Sequence, residues 1–395
     1  MKIHTTRCGE KLSDIAKEYE INEEIIRRIN NIDNEPVAGE ELLIQIPTRT
    51  YKTIYGDTPE RIALRFGIRK GDLYSLNPWI SGRNLEVGET LTLKCAGRKN
   101  GMSVANGYFY QGCRKENLLR AMPYLTYITF ASARADKKGL HTLFDTKKEV
   151  KICCENSKIP LVRVFDSWKE RYKSDNNLTE FAEQLISLAL DGGFKGIILD
   201  ACALSDSAEE FSSFLMILRK LMIGCDLILI TEINEISPTE FSEYADGSIL
   251  YYPKFAMTDP PSFEEGERRI LGDFACKGES AKVFIDLPSL AVNENRFASI
   301  DEAQSIARHR GYEIETNKNT LLSHFSSKKQ GEYRYTSLLG IQAILELINE
   351  FDYMGICFDI MRTPLSYLMM YDSLFKTSYH TSIRSTEGCS RGVGE

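Results

Sequence analysis

A repeat opens the chain: CGEKLSDIAKEYEINEEIIRRIN, residues 8–30, recurs as YGDTPERIALRFGIRKGDLYSLN, residues 55–77. Both stretches carry a glycine at their second position, an Ile-Ala pair, an aromatic residue and a final asparagine at the same places. Recurrence at one fixed period indicates tandem modules. Apolar residues three and four apart predict two short helices in each stretch, and β-type runs such as KIHTT and ETLTLK flank them. The sequence therefore predicts two consecutive βααβ modules.

Local signals mark the ends of these helices and strands. Thr58 before Pro59 predicts an N-cap followed by proline in the first helical turn, and Asn22 before two glutamates predicts the start of another helix. Gly39 and Gly88 predict the turns that precede the two closing strands.

This βααβ pattern resembles the LysM module, and the resemblance covers residues 1–48 and 49–97. It rests on the Gly-(Asp/Glu) turn, the Ile-Ala helix, the asparagine that closes the second helix and the glycine before the last strand. The resemblance implies binding of N-acetylglucosamine-containing glycans such as peptidoglycan or chitin, with two modules gaining avidity on a repeating polymer. The alternative is that the repeat only packs against the rest of the chain. The predicted carbohydrate contacts in the modules are Gly9, Asn30, Gly56, Asp57 and Asn77.

From about residue 106, β-rich runs alternate with amphipathic helices, which is typical of βα units and a parallel sheet. Eight strands are predicted: GYFYQ, LTYITFA, IPLVRVF, FKGIILD, CDLILIT, GSILYY, AKVFIDL and YMGICFD. Eight such units predict an α/β fold, a TIM (β/α)8 barrel, over residues 98–382. A stretch of about residues 291–336 is predicted to form a small inserted subdomain. The polar tail, residues 383–395, is predicted to be disordered.

The barrel is similar to glycoside hydrolase family 18, and most similar to its LysM-containing spore proteins that hydrolyse cortex peptidoglycan. LTYITFASARADKKGL (residues 125–140) resembles the family's second strand and loop, and GGFKGIILD (residues 192–200) its fourth strand. Members of this family end the fourth strand with aspartates and a glutamate. The resemblance implies that this glutamate protonates the glycosidic oxygen while the preceding aspartate orients the substrate's own N-acetyl nucleophile, an exception to the two-carboxylate mechanism.

The chain departs from that pattern at three strand ends. Asp200 remains, but Cys202 occupies the position of the glutamate, and a thiol is a poor proton donor for an ether oxygen. After the sixth strand, the family's tyrosine and aspartate are replaced within Tyr251-Tyr252-Pro253-Lys254, and Asp359 replaces a tryptophan after the eighth. The sequence therefore predicts a degenerate, inactive glycosidase barrel.

The strand ends also carry an acidic set, which leaves alternatives open: Asp166, Asp200, Glu232, Asp286 and Asp359. Crowded carboxylates raise one another's pKa, so an active enzyme with Glu232 or Asp359 as a relocated acid is the second hypothesis. Other interpretations are a network of satisfied charges and an oxygen-ligand site for calcium or magnesium. Cys202 is predicted to be a buried thiol rather than a nucleophile, and Trp168, Tyr251 and Tyr252 are candidate sugar contacts.

Composition limits the partners. The 395 residues include 49 basic and 56 acidic side chains, a net charge of −7, which disfavours nucleic acid and anionic lipid. Ten cysteines form no CxxC ladder, so no zinc site is predicted, and no motif predicts a cofactor. The first residues lack the apolar core of a secretory signal, and no membrane span is predicted. The predicted partner is peptidoglycan or another N-acetylglucosamine polymer, and the resemblance implies a spore protein made in the mother-cell cytoplasm.

Overall fold

The computed structural model describes residues 1–96, 101–136, 139–166, 178–202, 208–234, 244–251, 260–276, 280–293, 296–327 and 331–377. Its strands are β1 (Lys2–Thr5), β2 (Glu41–Ile44), β3 (Pro47–Lys52), β4 (Thr90–Cys95), β5 (Gly101–Phe109), β6 (Tyr127–Asp136), β7 (Gly139–Thr142), β8 (Ile159–Asp166), β9 (Gly196–Asp200), β10 (Ile228–Ile233), β11 (Gly247–Leu250), β12 (Val283–Asp286), β13 (Leu290–Asn293), β14 (Arg296–Ser299), β15 (Glu315–Asn317), β16 (Leu322–Ser327), β17 (Gly331–Thr336), β18 (Gly355–Asp359) and β19 (Phe375–Thr377). The helices are α1 (Leu12–Glu18), α2 (Glu23–Ile29), α3 (Pro59–Phe66), α4 (Lys70–Leu76), α5 (Lys115–Ala121), α6 (Lys147–Glu155), α7 (Leu178–Asp191), α8 (Ala208–Met222), α9 (Arg269–Cys276), α10 (Ile300–Arg310), α11 (Leu338–Glu350) and α12 (Leu365–Leu374).

The first two units are βααβ modules, as the repeat predicts. In each, an antiparallel strand pair, β1–β2 or β3–β4, packs against two helices. The predicted caps form: the side chain of Asn22 accepts a hydrogen bond from the backbone of Glu24, and that of Thr58 from Arg61. These side chains satisfy N–H groups that the first helical turn leaves without partners.

Eight parallel strands close into the predicted barrel in the order β5, β6, β8, β9, β10, β11, β12 and β18. The pairing of β18 with β5 closes the ring. Apolar residues of period two fill the interior, and a larger apolar cluster joins the outer faces of the strands to the helices. The TIM-barrel prediction is therefore confirmed.

The predicted insertion lies between β12 and β18. It is a five-stranded antiparallel sheet in the order β14, β13, β17, β16 and β15, together with helix α10. The boundaries predicted for the domains, and the disorder of residues 383–395, stay predictions, since the tail lies outside the described residues.

The modules are packed onto the barrel rather than linked loosely to it. Ile25, Ile29 and Leu43 of the first module belong to the same apolar cluster as the barrel helices. In the second module, the backbone oxygen of Ser75 accepts a hydrogen bond of 2.7 Å from the hydroxyl of the buried Tyr124. Contacts with both modules thus fix their placement on the barrel: apolar packing in the first and a buried hydrogen bond in the second.

Candidate functional site

The carboxyl ends of the barrel strands carry a layer of charged side chains. Leu161, Ile198, Ile230, Phe284 and Cys357 point into the barrel interior. Side chains in a strand alternate between faces, so the residue two positions later points the same way. Those later residues are Arg163, Asp200, Glu232, Asp286 and Asp359, which we call the mouth cluster. Active sites of TIM barrels lie at this end of the barrel.

Arg163 and Glu232 form the centre of the mouth cluster. Glu232 and Asp200 stand in register on neighbouring strands β10 and β9. Arg163 nevertheless contacts Glu232 more closely than Asp200. Its Nε lies 2.7 and 2.9 Å from the two carboxylate oxygens of Glu232, while its Nη2 lies 3.4 Å from Asp200. Tyr108 donates a further hydrogen bond of 2.7 Å to Glu232. Such a bidentate, charge-assisted contact, with the Tyr108 hydroxyl beside it, engages both carboxylate oxygens of Glu232.

Asp200 and Cys202 lie beside this pair at the end of β9. A carboxylate oxygen of Asp200 accepts a hydrogen bond of 3.0 Å from the backbone N–H of Cys202. Burial, followed by the charges of Asp200 and Glu232, raises the pKa of the Cys202 thiol well above its usual value of about 9. The sequence predicts a buried core thiol, but Cys202 is partly exposed, because it follows strand β9 instead of lying within it. A thiol held this firmly in its protonated form does not release a proton at neutral pH.

Asp359 has a structural task at the end of β18. It accepts hydrogen bonds from the backbone N–H groups of Met361 (2.8 Å) and Arg362 (3.1 Å), and it pairs with the Arg362 guanidinium at 3.2 Å. Burial raises its pKa, although these contacts oppose the shift. The contacts hold the turn that leads towards helix α12, so both carboxylates predicted as relocated acids, Glu232 and Asp359, are held in salt bridges.

Asp286 is the member of the mouth cluster that stands apart. Among the described residues, none pairs with its carboxyl group or donates a hydrogen bond to it, and the side chain is partly accessible. Burial, and next to it the charge of Glu232, raises its pKa well above the ordinary value of 3.8. Its surroundings therefore favour the protonated form of Asp286 over the charged form. Strand alternation alone places Asp286 in this layer, but residue type does not distinguish it from Glu232 and Asp359 as a candidate acid.

Other predicted residues fall near the mouth or outside the description. Tyr251 follows β11 and is 44% exposed, and its pKa is raised by burial and then by the charges of Asp286 and Cys202. Trp168 and Tyr252 lie outside the described residues, and for Asp166 only the backbone, at the end of β8, is described.

Within the described ranges, no three His, Cys, Asp or Glu side chains are grouped so as to hold a metal ion. Across those ranges no helix combines the length and apolar character that crossing a bilayer requires.

The repeated asparagines of the modules are structural, which corrects their prediction as glycan contacts. Asn77 is fully buried; its amide donates to the carbonyls of Leu73 (2.9 Å) and Thr92 (2.7 Å), and its oxygen accepts from the Thr92 N–H at 2.8 Å. Asn30 makes the same three contacts in the first module. Each amide ties the second helix to the closing strand, and no hydrogen-bonding group of it is left for a ligand.

The turns at Gly9 and Gly56 are each stabilised by an acidic side chain that follows the glycine: Glu10 accepts from the Arg7 N–H, and Asp57 from the Ile54 N–H. Both glycines adopt a positive φ, 73° and 80°, which glycine takes without strain. Asp57 accepts hydrogen bonds from the Ile54 N–H (2.9 Å) and the Tyr51 hydroxyl (2.7 Å). Against the effect of burial, these bonds and Arg65 lower its pKa. Asp57 therefore shapes its turn and is nearly inaccessible itself, which corrects its prediction as a direct contact.

The second module has an exposed apolar surface that the sequence did not single out. Tyr55 is 93% exposed, Val87 69% and Ile54 57%. Thr53 holds the two turns together, since its backbone pairs with Gly88 (2.8 Å) and Glu89 (2.9 Å). We call Ile54, Tyr55 and Val87 the turn surface. Exposed apolar groups that lie together are typical of binding sites.

Comparison with known proteins agrees with this architecture. A family model described as the LysM domain matches residues 4–45 and 51–94. No curated protein matches the chain in sequence.

Three solved structures show the fold of the whole chain or of the barrel. The spore cortex-lytic enzyme SleL of Bacillus megaterium QM B1551 superposes with a TM-score of 0.71 at 18% identity, covering 96% of this chain and 99% of its own. SleL of Bacillus cereus gives 0.70 at 17% identity with the same coverage. A class V chitinase of Pseudomonas fluorescens Pf-5 gives 0.61 at 15% identity and covers 69% of this chain and 99% of its own. The chain thus consists of two LysM domains followed by a TIM barrel with the fold of these enzymes.

Proposed function

We propose that the protein binds N-acetylglucosamine-containing glycans, peptidoglycan above all, through its LysM domains, and that its barrel does not hydrolyse them. The first part is supported by the LysM match and by the exposed turns of the modules. The second part rests on the mouth cluster. The proposed contacts are the Gly56 turn and the turn surface of the second module.

One observation carries the claim of inactivity: the two described side chains next to Asp200, Glu232 and Cys202, are both unsuited to giving a proton to a glycosidic oxygen. Both carboxylate oxygens of the neighbouring Glu232 are bound by Arg163, and the thiol of Cys202 has a raised pKa. General acid catalysis needs a group that is protonated at the operating pH and gives the proton up in the transition state. Glu232 is committed to Arg163 and Tyr108 and is not free to carry a proton to a sugar, and the thiol does not give its proton up.

Binding and hydrolysis can be measured in one incubation. Purified full-length protein is mixed with insoluble peptidoglycan from spore cortex and from vegetative walls. We expect the protein to sediment with the glycan while no reducing ends are released. Release of reducing ends that Asp200→Asn abolishes would refute the claim of inactivity, and absence of co-sedimentation would refute glycan binding.

A second candidate function, hydrolysis with Asp286 as the acid, is favoured by the raised pKa of that carboxyl group. It differs from the earlier hypothesis of Glu232 or Asp359, whose carboxylates are engaged. This hypothesis predicts a slow release of reducing ends that both Asp286→Asn and Asp200→Asn abolish. Activity that survives Asp286→Asn but not Asp200→Asn would point to a donor elsewhere.

We further propose that the protein is associated with the bacterial spore. Two structures named as spore cortex-lytic enzymes share both the modules and the barrel over 96% of this chain. The experiment is a fluorescent fusion in the native host, followed through sporulation. We expect the signal on the developing spore; fluorescence confined to vegetative cells would contradict the proposal.

A further inference from the structure

The two LysM domains present the same turns to different surroundings. In the first, Thr6 pairs with Gly39 and Glu40 as Thr53 pairs with Gly88 and Glu89 in the second, at 2.9 Å in each of the first domain's bonds. Ala38 therefore occupies the position of Val87, and Gly39 that of Gly88. The repeat places Cys8 opposite Tyr55. Any difference in access between these pairs is a difference between the two binding surfaces.

In the first domain this turn is covered by the inserted subdomain. The backbone oxygen of Ala38 accepts a hydrogen bond of 2.9 Å from the N–H of Ile314. The backbone of Gly39 approaches so closely that a Cβ on it would lie 1.8 Å from the carbonyl oxygen of Ile314. At Gly39, therefore, the subdomain occupies the space that a sugar would need beside the turn.

Ionic contacts fasten the same interface. Arg308 of helix α10 is almost fully buried; it reaches Glu40 at 2.7 Å, Asp33 at 2.8 Å and the carbonyl of Asn31 at 3.1 Å. Asn31 also donates a hydrogen bond of 3.0 Å to Asp301. The loop between α2 and β2 thus contacts the insertion near both of its ends, at Asn31 and Asp33 and again at Ala38 to Glu40.

In the second domain the corresponding turn is open. A Cβ on Gly88 would meet only the end of the Lys52 side chain, at 3.6 Å. Arg28 of the first domain reaches Glu89 at 2.9 Å, just as Arg308 reaches Glu40, but Val87 and Tyr55 stay exposed. A cleft of about 220 Å³ runs between helix α2 and this turn, lined by Arg28, Trp79 and Val87 among others.

We infer that the chain has a single LysM glycan site, formed by the turn surface of the second domain and bordered by helix α2, while the first domain serves as the mount that fixes this site to the barrel. This inference rests on the proposed function and narrows it to one domain. Tyr55 offers an aromatic face to a sugar ring, and Cys8 at the equivalent position does not. Avidity between the two domains of one chain is then absent, since only one of them can bind.

Isothermal titration of the full-length protein with a soluble N-acetylglucosamine oligomer of four or five units tests this. Because such an oligomer is short, the titration counts the binding sites on each chain rather than the cross-linking of several chains. We expect one oligomer bound per chain. Tyr55→Ala should weaken binding at least about tenfold, as for a central aromatic contact, and the matched variant Cys8→Ala should change it less than about twofold. Both side chains are exposed, and circular dichroism melting will show that the variants stay folded.

Two bound oligomers per chain, or an equal loss in Cys8→Ala and Tyr55→Ala, would overturn the inference while leaving glycan binding intact. Full binding by Tyr55→Ala would also overturn it. A wild-type protein that binds neither the oligomer nor insoluble peptidoglycan would instead overturn the proposed function.

Discussion

The barrel mouth and the turn surface of the second LysM domain both carry side chains suited to a sugar, but they differ in how far these are already engaged. At the mouth, Glu232 is paired with the guanidinium of Arg163. Asp359 accepts hydrogen bonds from two backbone N–H groups and is paired with Arg362. On the turn surface, Tyr55 and Val87 stand in solvent. A group whose partners lie within the protein must be released before it can serve a ligand, whereas an exposed group needs no release.

The largest expected effect comes from opening the mouth. Arg163→Ala would leave Glu232 buried beside Asp200 and Asp286 without its counter-charge. Removing one partner of a buried pair costs about 3–5 kcal/mol, so we expect the free energy of unfolding to fall by that amount in denaturant titration. The double variant Arg163→Met/Glu232→Leu should recover most of the loss. A loss below about 1 kcal/mol in Arg163→Ala would mean that the mouth is solvated and that its groups are available after all.

The next effect tests whether the repeated asparagines belong to the fold. Asn77→Ala removes an amide that makes three buried hydrogen bonds, which should lower the free energy of unfolding by about 2–3 kcal/mol. Asn30→Ala is the matched change in the first domain and should cost a similar amount. Any loss of oligosaccharide binding should follow the loss of folded protein. Binding that falls while stability is unchanged would return Asn77 to the list of contacts.

The turn at Ala38 to Glu40 of the first domain is like the barrel mouth in one respect: its hydrogen-bonding groups already have partners within the protein. Arg308→Ala should cost about 2 kcal/mol, less than the change at Arg163, since Glu40 can regain water when the interface opens. Limited proteolysis should then cut between the first domain and the barrel faster than in the wild type. Arg310→Ala, on an exposed position at the end of the same helix, is the control and should leave the pattern unchanged. An unchanged digestion pattern in Arg308→Ala would contradict the role of this contact.

Much of this arrangement could be predicted from the sequence, since it depends on local patterns. Period-two alternation from Ile198 to Asp200 and from Ile230 to Glu232 is enough to place both acids at the mouth, and the caps at Asn22 and Thr58 follow from residue type and spacing. These features are set within a few residues of chain. The eight strands and the insertion were predicted for the same reason.

What could not be predicted depends on contacts between distant segments. A repeated asparagine is compatible with a fold role and with a ligand role, and only the position of the closing strand decides for Asn77. The closer contact of Arg163 with Glu232 than with Asp200 joins side chains from three different strands. The covering of Gly39 by Ile314 joins residues far apart in the chain, and no local pattern records it.

The smallest effect concerns Asp286, the mouth carboxyl group without a partner among the described residues. Its pKa is raised in the folded protein by burial and by Glu232, so the unfolded chain releases this proton at lower pH than the folded one. Stability is therefore lost as pH rises from the ordinary value of 3.8 through the folded pKa. Asp286→Asn does not titrate and should be more stable than wild type at pH 7, by no more than about 1 kcal/mol because the exchange is isosteric and partly accessible.

The gain in Asp286→Asn should shrink towards zero as the pH falls below 3.8, where both states of the wild type are protonated. Chemical denaturation of both proteins between pH 3 and pH 8 measures it, and Asp273→Asn, at an exposed aspartate, is the control. A variant that is less stable than wild type at pH 7 would mean that the charged carboxylate is stabilised by a partner. Asp286 would then resemble Glu232 and Asp359, and the mouth would hold no neutral carboxyl group for the second candidate function.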